Sequence, residues 1–161
     1  MSYDFDGKRV LVTGGSAGIG RATALAFAEA GADVMIADVD DDRGERVATE
    51  LRDRGVDGEY VHTDVSSPES VDSLFETIDD QWGELDCAFN NAGIEGEQAP
   101  TGDCSLENWH QTLEINLNGV FYCLRRELQR MVDQGDGTIV NMSSVAGQRG
   151  FEQLPAYVAS K

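Results

Sequence analysis

Apolar runs of strand length alternate with helix-patterned stretches from one end of this sequence to the other. That alternation restricts the fold more than any single motif does. The runs lie at residues 9–13, 34–37, 58–62, 85–89 and 138–142. Between them an alanine-rich helix is expected over 18–30, ended by Gly31. A charged helix follows over 41–54, and a third, opened by Ser67 and Pro68, runs to Trp82. A longer helix is expected over 105–132. There Leu106, Trp109, Leu113, Leu117, Val120, Leu124, Leu128 and Met131 recur at three and four residues, the spacing of one buried face. Pro155 opens a last helix. Strands separated by helices pair in parallel through right-handed crossovers, so the fold class is α/β, a doubly wound parallel sheet with helices on both faces. The length of 161 residues suits one domain. Its last helix reaches Lys161 with no glycine or proline stop. The domain, 1–161, is therefore expected to be C-terminally incomplete, truncated after the fifth strand and the start of the next helix.

The turn after the first run is Thr13-Gly14-Gly15-Ser16-Ala17-Gly18-Ile19-Gly20. Glycines let the backbone turn tightly and approach a pyrophosphate, and the next helix offers free N–H groups and a positive dipole end to that anion. Such a turn also arises for structural reasons alone, so Asp38 matters. It ends the second run, 20 residues after Gly18. A carboxylate there accepts hydrogen bonds from ribose hydroxyls and repels a 2′-phosphate. Neither Ala17 nor Val39 supplies a compensating cation. The cofactor expected is NAD rather than NADP, with Gly14, Ser16, Gly18, Ile19, Gly20 and Asp38 as candidate contacts.

Acids outnumber bases by 30 to 12, a formal charge of −18, which argues against nucleic-acid and anionic membrane partners. The run Asp40-Asp41-Asp42 reads as a solvated helix start. No apolar run approaches spanning length, and the first residues are neither basic nor apolar enough for a secretion signal. Cys87, Cys104 and Cys123 lack C-x-x-C spacing, and His62 and His110 stand alone, so no metal site is expected. The sequence reads as soluble and cytoplasmic, from a reducing compartment.

Tyr157 and Lys161 are four apart and share a helix face. An ammonium there lowers the proton affinity of the phenol and makes it a usable acid or base. Together with the G-x-x-x-G-x-G spacing and Asn90-Asn91-Ala92-Gly93 after the fourth run, this resembles the short-chain dehydrogenase/reductase family. The resemblance covers residues 8–161 and implies a Rossmann-like fold. It adds Asp64, Val65, Asn90, Ala92 and Gly93 to the expected cofactor contacts, along with Tyr157 and Lys161. It implies a catalytic set of Asn116, Ser144, Tyr157 and Lys161. Tyr157 would exchange a proton with the substrate oxygen, and Lys161 would favour its phenolate and bond the nicotinamide ribose. Ser144 would hold the substrate oxygen, Ser143 being the rival, and Asn116 would position a water in a proton relay. The implied activity is NAD-dependent interconversion of a secondary alcohol, or a polyol or sugar hydroxyl, and a ketone. The implied assembly is a homotetramer or homodimer. The stretch from Gly93 to Pro100 resembles members acting on cyclic alcohols and polyols. The alternative is a non-catalytic nucleotide-binding fragment of such an enzyme, lacking the C-terminal substrate-binding part.

Only Lys8 and Lys161 are lysines, against ten arginines. Heavy acidity with scarce lysine resembles proteins of a salt-loaded cytoplasm, where charge repulsion is screened within about 3 Å at 1 M salt. The alternative is an ordinary acidic protein. A halophilic chain melts at a higher temperature in molar KCl than in dilute buffer; an unchanged or lower midpoint in a thermal scan assigns the ordinary case.

Overall fold

The structure is a computed structural model and describes residues 4–161. Five parallel strands make one sheet: β1 (Arg9–Thr13), β2 (Asp33–Asp38), β3 (Gly58–His62), β4 (Cys87–Asn90) and β5 (Thr138–Asn141). Their order is β3-β2-β1-β4-β5, so the chain winds outward in one direction from β1 and then in the other from β4. Thr13 and Asn90 stand in register at the carboxyl ends of β1 and β4, where the winding reverses. An open α/β sheet binds its ligands in the crevice at that point.

Side chains alternate across β1 as a period of two requires. Val10 and Val12 join Val34, Ile36, Ala24, Ala28, Val47 and Leu51 on one face, under α1 (Gly18–Glu29) and α2 (Asp41–Arg52). Leu11 joins Met35, Leu74, Phe75, Ile78 and Cys123 on the other, under α3 (Pro68–Gln81) and α5 (Gly119–Gln134). The interiors of β1 and β2, 10–12 and 34–37, are thus apolar on both faces, as strands buried on two faces must be. The caps follow the local sequence. Ser67 Oγ accepts from Ser70 N at 3.2 Å with Pro68 at the first helical turn, and Asp40 Oδ1 accepts from Arg43 N at 3.0 Å. The acidic run is therefore the start of α2.

The fourth strand begins two residues later than its apolar run. Leu85 donates its N–H to Gln134 Oε1, and its carbonyl accepts from Gln134 Nε2, which ties it to the end of α5 rather than to the ladder. A larger difference concerns the long helix. It is α4 (Leu106–Leu113), a π-helical stretch over Glu114–Asn118, and α5 in succession. The leucine row is not its buried face: Leu106, Leu117 and Leu128 are exposed, and of that row only Met131 is fully buried. The buried line is Asn108, Thr112, Asn116, Gly119, Cys123, Glu127 and Met131. Small size at Gly119 and Cys123 and paired polar side chains at Asn108, Thr112 and Asn116 explain most of the exchange. A Cβ on Gly119 would stand 2.9 Å from Val65 Cγ2, so the helix lies against the chain after β3 at a distance only glycine allows. The last helix, α6 (Pro155–Ser160), starts at its proline as expected. β5 forms the sheet edge, with Thr138, Val140 and Asn141 exposed. Among the described residues no helix is long and apolar enough to cross a membrane.

Replacing Gly119 with valine should destabilise the fold by about 1–3 kcal/mol through overpacking against Val65. Urea unfolding measures this, and an unchanged midpoint contradicts the packing described.

Candidate functional site

The ends of β1 and β4 are tied together by side chains. Asn91 Nδ2 donates to the carbonyls of Thr13 and Gly14, both at 3.1 Å. Thr13 Oγ1 in turn accepts from the N–H groups of Asn91 and Ala92, both at 3.1 Å. Gly14 has φ +64°, and a Cβ there would lie 2.8 Å from Ala92 Cα. Both the backbone conformation and the close approach therefore require glycine. A Cβ on Gly20 would meet Gly14 O at 2.1 Å, so α1 starts flush against the turn. Its first turn has no acidic side chain, and Ala17 supplies no side-chain cap. Free N–H groups and the positive helix end remain for an anion.

The tied turns line a cleft of about 450 Å³. Gly14, Gly18 and Ile19 come from the glycine turn, Asp38 from β2, Asp64 and Val65 from the chain after β3, and Ala92 and Gly93 from the chain after β4. Asp38 is held from two sides: Oδ2 accepts from Ser16 N at 3.1 Å and Oδ1 from Asp40 N at 3.2 Å. It does not cap α2, since Asp40 does. Ser16 is buried and serves the site through that bond to Asp38. Asp64 Oδ1 accepts from the N–H and hydroxyl of Ser66, at 2.9 and 2.6 Å. Asn90 ends β4 behind the cleft. Its side chain turns inward, 2% exposed, and donates to Glu127 Oε2 and Asn141 Oδ1, both at 2.9 Å. It braces the cleft from behind, its Nδ2 joining β4 to α5 and β5.

Asn116 sits buried in the π-helical stretch, a break in the helical ladder that re-aims one residue. Its Oδ1 accepts from Ile94 N at 2.8 Å, and its Nδ2 donates to Ile94 O at 2.8 Å and Ser160 Oγ at 2.9 Å. Ser160 Oγ donates onward to Tyr157 O at 2.8 Å. Both amide hydrogens of Asn116 are spent, so any water it positions must use the second lone pair of Oδ1 or the main chain. Lys161 Nζ donates to Met142 O at 3.4 Å and lies 5.8 Å from the Tyr157 ring centroid. A Cβ on Gly93 would come within 3.4 Å of Nζ and 3.1 Å of Asn116 Oδ1. Burial lowers the pKa of the Lys161 ammonium from its ordinary value. Ser144 heads a short 3-10 turn, Val145–Gly147, and its Oγ accepts from Ala146 N at 3.1 Å. The structure therefore gathers Asn116, Lys161 and Gly93, with Tyr157 alongside Lys161. Ser144 bonds its own turn rather than any of the other three.

Sequence reading missed Thr13 and Ser160 as members of this assembly. Thr13 stood inside the glycine motif, but its role depends on a strand 78 residues away. Ser160 lay inside the Tyr157–Lys161 segment and carried no signal of its own.

The profile of the family described as short chain dehydrogenase matches residues 8–161. The chain belongs to this family. Among its relatives, the 3beta-hydroxysteroid dehydrogenase of Mediterraneibacter gnavus is 44% identical over 98% of this chain and 56% of that protein. The cyclohexanol dehydrogenase of an Acinetobacter species is 36% identical over 100% of this chain and 64% of that protein. The crystal structure of an NAD+-bound xylitol dehydrogenase superposes with a TM-score of 0.95 at 36% identity, over 98% of this chain and 60% of that one. This short-chain dehydrogenase chain thus spans 56% and 64% of the length of these two relatives.

Asn116→Ala would leave both polar groups of Ile94 and the Ser160 hydroxyl without their partner. The expected loss is about 2–4 kcal/mol in urea unfolding. A loss below about 0.5 kcal/mol, the size of a surface change, contradicts the bonding described.

Proposed function

We propose that the chain carries the cofactor cleft and acid–base groups of an NAD-dependent oxidoreductase that interconverts a secondary alcohol, or a polyol hydroxyl, and a ketone. The observation behind this reading is the meeting of three groups at the switch point: the glycine turn, the Asp38 carboxylate and the Asn116–Lys161 pair around Gly93. The residues suit a dinucleotide. The open start of α1 and the missing side chains of Gly14 and Gly18 receive a pyrophosphate, and Asp38 receives ribose hydroxyls. Asp38 also favours NAD over NADP, because its carboxylate repels a 2′-phosphate and neither Ala17 nor Val39 offers a base to hold one.

When bound, the nicotinamide supplies hydride acceptance and return. The protein's own groups handle the proton and the geometry. Tyr157 takes the hydroxyl proton of an alcohol or gives one to a ketone. Lys161 stabilises the phenolate electrostatically. Ser144 holds the substrate oxygen. Asn116 and Ser160 fix α6 against the chain after β4, so that Tyr157 and Lys161 keep one orientation. Relatives named for 3beta-hydroxysteroids and cyclohexanol, and a structural neighbour named for xylitol, support cyclic alcohols or polyols as the substrate class. The exposed row of Leu117, just before α5, and Phe121, Leu128 and Val132 on it supports self-association through that helix.

The second reading is a nucleotide-binding chain without turnover. The bonding of Ser144 within its own turn, rather than to Tyr157, Asn116 or Lys161, favours it. Assays with secondary alcohols and NAD separate the two. On the catalytic reading Tyr157→Phe loses turnover by a factor of at least about 1,000, a loss typical of removing the acid–base group, while NAD binding stays within a few fold. A Tyr157→Phe protein that still turns over refutes the assignment, and binding without turnover in the unaltered chain favours the second reading.

A further inference from the structure

Glu127 is fully buried in α5, and the reaction described above does not use it. It stands behind the end of β4. Its Oε2 accepts one hydrogen bond, from Asn90 Nδ2, and the same Nδ2 donates to Asn141 Oδ1. Three side chains thus join α5, β4 and β5. Two oxygens of this cluster, Glu127 Oε1 and Asn90 Oδ1, are buried without a partner. Among the described residues no cation pairs with the carboxyl. From α5 itself the titratable neighbour is the Cys123 thiol, whose pKa is pushed up by burial and by Glu127. β4 and β5 present only the amides of Asn90 and Asn141. The charges between α3 and α5 pair with one another: Arg125 and Arg126 with Asp72, and Arg130 with Asp79.

A carboxylate in this place would be a buried charge with a single neutral donor, which is costly. A proton on Oε1 removes the charge. It also places a donor in the cluster that holds the unpartnered Asn90 Oδ1, on a carboxyl whose other oxygen already bonds Asn90. We propose that Glu127 is a positioning residue for the cofactor turn, held as a neutral acid that clamps the end of β4 to α5 and β5, and that its ionisation loosens the turn from Asn90 to Gly93. The path is short. Asn90 precedes Asn91 and Ala92, which are bonded directly to Thr13 and Gly14.

Burial pushes the Glu127 carboxyl up from 4.5 to about 7, opposed in part by the bond from Asn90. A folded-state pKa above the unfolded one means that the proton stabilises the fold. That stability is fully present below about 4.5 and is lost as pH rises through about 7.

The test uses the unaltered chain and Glu127→Gln, whose amide mimics the neutral acid. In the unaltered chain the side-chain NH2 resonances of Asn90 and Asn141 should shift together with a midpoint near 7. Between about pH 5 and pH 8 its folding constant in urea titrations should fall on the order of 50-fold more than that of Glu127→Gln. NAD affinity, a readout that rests on the proposed function, should weaken several-fold over the same range in the unaltered chain and stay flat in the variant. No midpoint between about 6 and 8 at Asn90, or parallel pH profiles of the two proteins in urea, overturns the neutral-acid assignment. A titrating clamp with pH-independent NAD affinity overturns the positioning role. Failure to bind NAD at any pH refutes the proposed cofactor, and the NMR and urea measurements still decide the protonation of Glu127.

Discussion

Asn91 holds the carbonyls of Thr13 and Gly14 while Thr13 holds the amides of Asn91 and Ala92, and this reciprocal bonding fixes the ends of β1 and β4 at the switch point. Strand pairing alone sets Thr13 beside Asn90 but ends there. Beyond that point the two chains would diverge into loops. The four bonds carry the register one step further, into the turns that face the cleft. Gly14 can accept this only because it tolerates φ +64° and because no Cβ stands between it and Ala92.

A second constraint works from the other side. The helix after the fourth strand comes close to the sheet along a stripe of small and polar residues, and the π-helical stretch turns Asn116 toward Ile94. From there Ser160 carries the connection to the main chain of Tyr157. The loop after β4 is therefore gripped twice, by Thr13 at Asn91 and by Asn116 at Ile94. Gly93 lies between the grips, near Lys161 Nζ. Rigidity of this kind is what an acid–base pair needs if it is to keep its orientation through a reaction.

Much of this was legible in the sequence because local chemistry dictated it. The strand–helix alternation announced a doubly wound sheet, and Ser67-Pro68 and Asp40 marked helix starts that the structure places as expected. The glycine turn and Asp38 fall on one cleft because both follow adjacent strands. The failures share a cause. The leucine row from Leu106 to Met131 was the stronger hydrophobic pattern, yet the helix buries Asn108, Thr112, Asn116 and Glu127 instead. Polarity predicts exposure only when no partner waits inside, and these partners are distant in sequence: Ile94 and Ser160 for Asn116, Asn90 for Glu127. Asn90 likewise turns its side chain inward, to Glu127 and Asn141. Its motif identified the turn but not the direction of its first side chain.

The central claim is that the tied ends of β1 and β4 form a dinucleotide cleft. A map of backbone amide chemical shifts during NAD addition to the isotopically labelled chain tests it most directly. The account predicts that the largest changes fall on the glycine turn from Gly14 to Gly20, on Asp38 and Val39, on Asp64 and Val65, and on the segment from Asn91 to Ile94. Changes confined to β5 or the outer face of α5, or no saturable change at the strand ends, would contradict it.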